Sequence, residues 1–270
     1  MYRTRTLYRA AALISLAVLL GRSEVAMAIS LTPFSPTGAG GTQNGQTLSI
    51  GPGGAAFEID AFLHVGGASA QLSSEAAPGG LDYGFSASLS PDASDLTLAY
   101  AFTNHGPALM GLTFVSYVDL EIDEPINTFF NEFATTAGTL AAGQGFEVDE
   151  PGFAFGDIFQ NAAAGTLDDG NALPFDDPDD VSMALSFAIA TLGTGETFSI
   201  DVMLSEDGDS LGSFSILQAD TDPGSTTTIR YSGIARVETA PPIPEPSARP
   251  LYLLGLAVVA LGAMRSRRSG

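Results

Sequence analysis

The stretch Leu96-Thr97-Leu98-Ala99-Tyr100-Ala101-Phe102 sets Leu96, Leu98, Tyr100 and Phe102 at every second position. A period of two places those side chains on one face of an extended chain, so the segment predicts a strand with one buried and one solvated face. The same alternation begins at Phe57-Glu58-Ile59-Asp60-Ala61-Phe62-Leu63 and returns at Tyr83 to Leu89 and Leu112 to Ile122. Further β-patterned runs follow at Val181 to Ala190, Thr197 to Leu204, Ser213 to Gln218 and Thr226 to Val237. Roughly ten to twelve short strands separated by Gly, Pro, Asn and Asp turns predict an all-β fold, a β-sandwich of jelly-roll or Ig-like topology. A β-helix is the alternative, but it requires a fixed period of turns that the sequence lacks. Two hairpins are expected. One joins Leu96–Phe102 to Leu112–Ile122 through Asn104-His105-Gly106-Pro107, and the other joins Val181–Ala190 to Thr197–Leu204. Between them, Phe155 to Ala164 has room for a short helix, against which Gly152, Gly156 and Gly165 argue.

The chain contains no cysteine, so this core must hold itself together without disulfides, and thiol catalysis and thiolate metal sites are excluded. Charge is distributed unevenly. Residues 29–240 hold 29 acids against Arg230 and Arg236, a formal charge of −27, and the chain has no lysine. Such a surface repels nucleic acid and anionic lipid; it attracts divalent cations or simply keeps the protein soluble.

The remaining arginines cluster near the ends. Arg3, Arg5 and Arg9 precede an apolar run from Ala10 to Gly21, and Ala26-Met27-Ala28 is a small-x-small cleavage site. Residues 1–28 therefore read as a secretory signal peptide removed by signal peptidase. At the other end, 241–250 is a proline-rich spacer containing Pro244-Glu245-Pro246, 251–264 is uncharged and apolar, and 265–270 carries Arg265, Arg267 and Arg268. As a helix the apolar run spans about 21 Å, short of a bilayer core of about 30 Å, which suits transient insertion. Both basic clusters remain cytoplasmic and the acidic domain, 29–240, is translocated.

A Pro-Glu-Pro turn, a short apolar helix and a basic end, in that order, resemble the PEP-CTERM sorting signal of exported Gram-negative bacterial proteins. The resemblance covers about the last tenth of the chain. It implies processing by an exosortase near Pro244-Glu245-Pro246, transient residence in the inner membrane through the C-terminal helix, then release to the cell surface or extracellular matrix. It also implies a setting rich in exopolysaccharide or biofilm. A plain C-terminal anchor with a proline-rich stalk is the competing reading.

Enzymatic signatures are missing from the middle. There is no Gly-x-Ser-x-Gly elbow, His-Glu-x-x-His motif or phosphate loop, and His64 and His105 have no evident partner cluster. Glu121 with Asp123, and Glu147 with Asp149, share a strand face as a glycosidase pair requires, but acids on a solvated face have the same spacing. The expectation is no enzymatic activity. Hard-cation ligands are better represented. Asp168, Asp169 and Asn171 with Asp176, Asp177 and Asp179, and separately Asp207 with Asp209, lie on Gly-bearing loops and supply the oxygens that Ca²⁺ takes. Neither group completes an EF-hand loop. The expected role is structural or adhesive, with a Ca²⁺-dependent polysaccharide-binding module as the alternative and a carboxylate-based polysaccharide-degrading enzyme as a distant one. Trp is absent and, of Tyr83, Tyr100, Tyr117 and Tyr231, Tyr100 reads as core, so sugar stacking would fall to the other three.

Overall fold

A computed structural model describes residues 30–33, 46–50, 55–56, 58–122, 130–152 and 155–239. The signal-peptide, spacer, apolar-run and basic-tail assignments all fall outside these residues, as do Asp123, Pro244, Glu245 and Pro246. No helix among the described residues is long and apolar enough to cross a membrane.

Three short strands, β1 (Ser30–Pro33), β2 (Gln46–Ile50) and β3 (Ala55–Ala56), form a small antiparallel sheet in the order β1-β2-β3. The main body then follows as β4 (Glu58–Val65), β5 (Ala68–Gln71), β6 (Asp82–Leu89), β7 (Asp95–Thr103), β8 (Leu109–Asp119), β9 (Glu132–Gly138) and β10 (Gln144–Asp149). Helix α1 (Ile158–Ala164) precedes β11 (Ser182–Leu192), β12 (Glu196–Ser205), β13 (Phe214–Asp220) and β14 (Thr228–Thr239). These strands make two antiparallel sheets, ordered β10-β11-β8-β4-β5 and β6-β7-β12-β14-β13-β9.

The alternation read from the sequence sets which face each sheet buries. Leu96, Leu98, Tyr100 and Phe102 of β7 meet Leu112, Phe114 and Val118 of β8 in one core, all buried. Tyr100 and Phe102 contact Phe114 at ring separations of 4.7 and 5.9 Å, and Phe146 of β10 meets Phe214 of β13 at 4.9 Å. Each contact bridges the two sheets. At about 1.5–3 kcal/mol per fully buried large apolar side chain, this shared layer is the main favourable term for a chain without disulfides. One polar contact crosses it: the Tyr231 hydroxyl donates to the Ser116 carbonyl at 3.1 Å.

Neither expected hairpin forms. β7 and β8 belong to different sheets, as do β11 and β12. The segments 104–108 and 193–195 carry the chain from one sheet to the other, so the strand pairs meet through their apolar faces rather than their hydrogen-bonding edges. Buried Asn104 clamps the two crossings together. Its Nδ2 donates to the Pro107 and Leu192 carbonyls, each at 2.9 Å, and its backbone exchanges hydrogen bonds with Glu196 and Gly195. The β-helix alternative is likewise replaced by two antiparallel sheets that share one core. The short helix does form, as α1, and Gly165 ends it in the left-handed conformation at φ 73°.

Candidate metal centres

Strand register gathers carboxylates on the outer face of the five-stranded sheet. Glu58 lies opposite Asp119, Asp119 opposite Ser182, and Ser182 opposite Asp149, making one row across four strands. The next row is Asp60, Tyr117, Ala184 and Glu147. Helix α1 covers part of this face by seating Ile158 and Ala162 against Phe62, Val115, Tyr117 and Ala184. Phe159 meets Phe62 and Tyr117 edge-on at 5.7 and 5.4 Å.

The helix completes a three-carboxylate cluster. Oxygens of Glu147, Asp149 and Asp157 all lie within 4.8 Å of one another. Asp157 precedes α1 and its backbone N–H donates to Asp149 Oδ2 at 2.8 Å; Asn161 on the helix donates to Glu147 Oε1 at 2.9 Å. Ligands across a Ca²⁺ ion sit about 5 Å apart, so oxygens this close can share one ion. Burial costs the ionised form. It pushes Glu147 up to about 7 despite its two hydrogen-bond donors, and it pushes Asp119 and Glu58 to about 7 and Asp180 to about 6. Both arginines of the domain lie on β14 of the opposite sheet, so neither relieves that cost. His64 shares the carboxylate face, but burial lowers its pKa, and its ring packs under Gly165 with Nε2 3.4 Å from the Ala162 carbonyl.

A second cluster occupies the six-stranded sheet. Asp95 opens β7 opposite Ser205, and the loop after β12 returns Asp207 and Asp209 to it, again with oxygens within 4.8 Å. Asp207 accepts from the Ser205 hydroxyl at 2.9 Å, the Asp209 N–H at 3.2 Å and the Ser94 hydroxyl at 3.2 Å, which hold its pKa below the usual carboxylate range. Burial and the facing Asp207, Asp209 and Asp92 raise that of Asp95, whose Oδ1 accepts no hydrogen bond.

Of the eight ligands expected from sequence, then, Asp207 and Asp209 converge, and their third partner is a strand residue that loop composition could not reveal. Of the other six, four take part in hydrogen bonds of the scaffold. Val148 on the β10 edge receives the Ala172 N–H and donates to the Gly170 carbonyl, and Asn171 Nδ2 donates to the Ala134 carbonyl of β9 at 2.8 Å. Asp179 exchanges two backbone hydrogen bonds with Glu132, also on β9. The acidic segment 168–180 is thus a seam that stitches one sheet's edge to the other's. Within it, Asp168 accepts from Gly170 N–H at 2.7 Å, Asp169 accepts from Phe146 N–H at 3.0 Å, and Asp176 and Asp177 sit in an exposed turn. Glu147 and Asp149 do share a strand face, as expected; what the sequence did not reveal is that Asp157, eight residues on and outside any acidic run, is returned to them at the start of α1.

The aromatic inventory changes too. Tyr100, Tyr117 and Tyr231 are fully buried, and Tyr83 stacks on Phe102 at 5.3 Å, so none of the four is an open stacking platform. His105 is exposed in its turn, 2.9 Å from Asp82. A groove of about 230 Å³ lies at the far end of the strands, between Ala142, Gly143, Ile189, Gly212 and Ala235. Arg236 borders it, but its guanidinium is engaged by Asp201 and Glu238, each at 2.6 Å. Comparison with protein-family models, with curated proteins and with solved structures finds no match to this chain.

Proposed function

We propose that this chain is an exported, exosortase-sorted protein of the cell surface or extracellular matrix, with a structural or adhesive role in exopolysaccharide or biofilm and no enzymatic activity. One observation carries the reading: a signal peptide ending at Ala26-Met27-Ala28 stands at one end, and Pro244-Glu245-Pro246, a short apolar run and Arg265, Arg267 and Arg268 stand in order at the other. The domain between them suits the role. It is a disulfide-free β body, and the finer description we favour is a sandwich of jelly-roll type, because the chain changes sheets at β5–β6, β7–β8, β8–β9, β9–β10 and β11–β12. Its excess of acids keeps copies soluble at high extracellular abundance. The test is a host strain lacking its exosortase. There the protein is expected to stay in the inner membrane with its full C-terminus, whereas unchanged mass and location in that strain would contradict the proposal.

A second reading, a Ca²⁺-dependent polysaccharide-binding module, is favoured by the convergence of Asp95, Asp207 and Asp209 and of Glu147, Asp149 and Asp157. With the tyrosines packed away, sugar hydroxyls would have to be held by the ion and by polar groups rather than by stacking. Pulldown on the host's own polysaccharide separates the two readings: retention abolished by chelator supports the module, and retention indifferent to chelator supports a passive matrix component.

A further inference from the structure

On the inner face of the six-stranded sheet, two acids stand directly opposite each other. Glu132 opens β9 as the ladder partner of Asp220, which closes β13, and Gln218 lies two residues before Asp220 on the same face. Like charges in this position oppose strand pairing. Both arginines of the domain are engaged elsewhere, Arg236 by Asp201 and Glu238 and Arg230 by Ser215, so neither sits between them. Gln218 points to what does. It is fully buried, at 0% exposure, and its Nε2 donates to the Leu120 carbonyl at 2.7 Å and to Glu132 Oε2 at 2.5 Å. Both partners are acceptors, which fixes the orientation of the amide and leaves its oxygen, Oε1, buried without a hydrogen bond. Such acceptors are rare in folded proteins and point to a bound water or ion. Oε1 shares its carbon with Nε2 through bonds of about 1.2 and 1.3 Å, so it lies within about 5 Å of Glu132 Oε2.

We propose that Gln218 Oε1 and the carboxylates of Glu132 and Asp220 form a Ca²⁺ site at this end of the β9–β13 pair. An amide oxygen and two carboxylates are ligands that Ca²⁺ takes, at about 2.3–2.6 Å, so oxygens on opposite sides of the ion stand about 5 Å apart. Mg²⁺ fits less well. It demands near-octahedral geometry at about 2.1 Å, whereas Glu132 is pinned by the Ile122 N–H at 3.2 Å and Gln218 by the Leu120 carbonyl. Both contacts come from the segment that follows β8, so the ion ties the exit of the five-stranded sheet to the edge of the six-stranded one. Water alone would satisfy Oε1 but leave two like charges opposed; a cation answers both. The competing occupant is a proton, because burial, with Glu121 and Asp180 nearby, raises the Glu132 carboxyl well above the usual range.

The site is separate from both carboxylate clusters described above and depends on neither the sorting nor the polysaccharide reading. Asp207→Asn, Asp209→Asn and Glu147→Gln together silence those clusters, and the full chain carrying them is titrated with Ca²⁺ alone by calorimetry. One site is expected to persist, with a dissociation constant of about 10⁻⁴ to 10⁻³ M. Adding Asp220→Asn is expected to weaken it at least about tenfold. Asparagine keeps the oxygen that accepts the Asp222 N–H at 2.7 Å and removes one of the opposed charges, so without Ca²⁺ this variant is expected to melt no lower than its parent. Loss of all binding in the parent, or binding that Asp220→Asn leaves unchanged, overturns the proposal. Crystals of the unsubstituted chain grown with about 10 mM Ca²⁺ give a second measurement, which needs no variant to fold. An ion at about 2.3–2.6 Å from Gln218 Oε1 supports the site, and a water or no density there overturns it.

Discussion

Asn104 binds two inter-sheet crossings with one side chain, and it is buried at 1% exposure. Asn104→Ala leaves the Leu192 and Pro107 carbonyls without their donor and frees the Gly106 N–H. Stranding buried polar groups costs about 1–3 kcal/mol each, so the variant is expected to lose about 2–4 kcal/mol, read as a lower denaturant midpoint at unchanged slope. The carboxylates yield a second prediction. If Asp95, Asp207 and Asp209 hold Ca²⁺ at about 10⁻³ M affinity, 10 mM Ca²⁺ stabilises the native chain by about 1.4 kcal/mol. Asp207→Asn with Asp209→Asn is expected to remove whatever part of the Ca²⁺-induced rise in melting temperature that cluster supplies. A rise that survives the pair but is lost in Glu147→Gln assigns the ion to the other cluster.

At the level of elements, local pattern was legible and pairing was not. The faces of β7 and β8 were evident from alternation alone, because burial acts on every second residue. Which strand each then bonds was not, since two amphipathic strands around a turn read the same whether their edges or their faces meet. Asn104-His105-Gly106-Pro107 is good turn chemistry in either case. The acidic segment 168–180 was similarly ambiguous: Asp, Asn and Gly fit a cation loop, but here their backbone groups satisfy the open edges of β9 and β10. Asp95 and Asp157 were invisible as ligands because each is isolated in sequence and meets its partners only through register or α1. The signal peptide and the sorting tail lie outside the described residues. One glycine tests the β9–β13 pairing directly. Gly138 ends β9 at φ 93°, where an added Cβ would stand 1.8 Å from the Ser213 carbonyl oxygen. Gly138→Ala must therefore displace that strand end, at a cost of about 2 kcal/mol or more, seen as a lower melting temperature with faster amide exchange in Phe214 and Ser215.

For the whole molecule, strand direction sorts the charge. Asp95, Asp119, Asp149 and Asp207 lie at the end of the strands where β14 begins, and Thr239, after which the spacer follows, lies at the other. The raised pKa values of three carboxylates on the five-stranded sheet make stability depend on pH with a defined sign. Glu58, Asp119 and Glu147 have native values near 7, above the ordinary carboxylate range near 4 that applies to the unfolded chain. Between those limits the native state binds more protons than the unfolded state, so stability is highest near pH 4–5, falls as pH rises, and levels off above about 7. Allowing for partial solvent screening, the drop from pH 5 to pH 8 is on the order of 1–3 kcal/mol. Thermal unfolding at the two pH values checks it, with the higher melting temperature expected at pH 5. Sorting is tested most directly by the intact mass and cell fraction of the mature protein in its host, for the wild type and for Glu245→Ala. The prediction is that the wild type begins at Ile29, has lost its C-terminal tail near Pro244-Glu245-Pro246 and lies outside the inner membrane, while Glu245→Ala keeps its tail and stays there. A wild type that carries its full C-terminus in the membrane would make this a permanently anchored surface protein and contradict the claim.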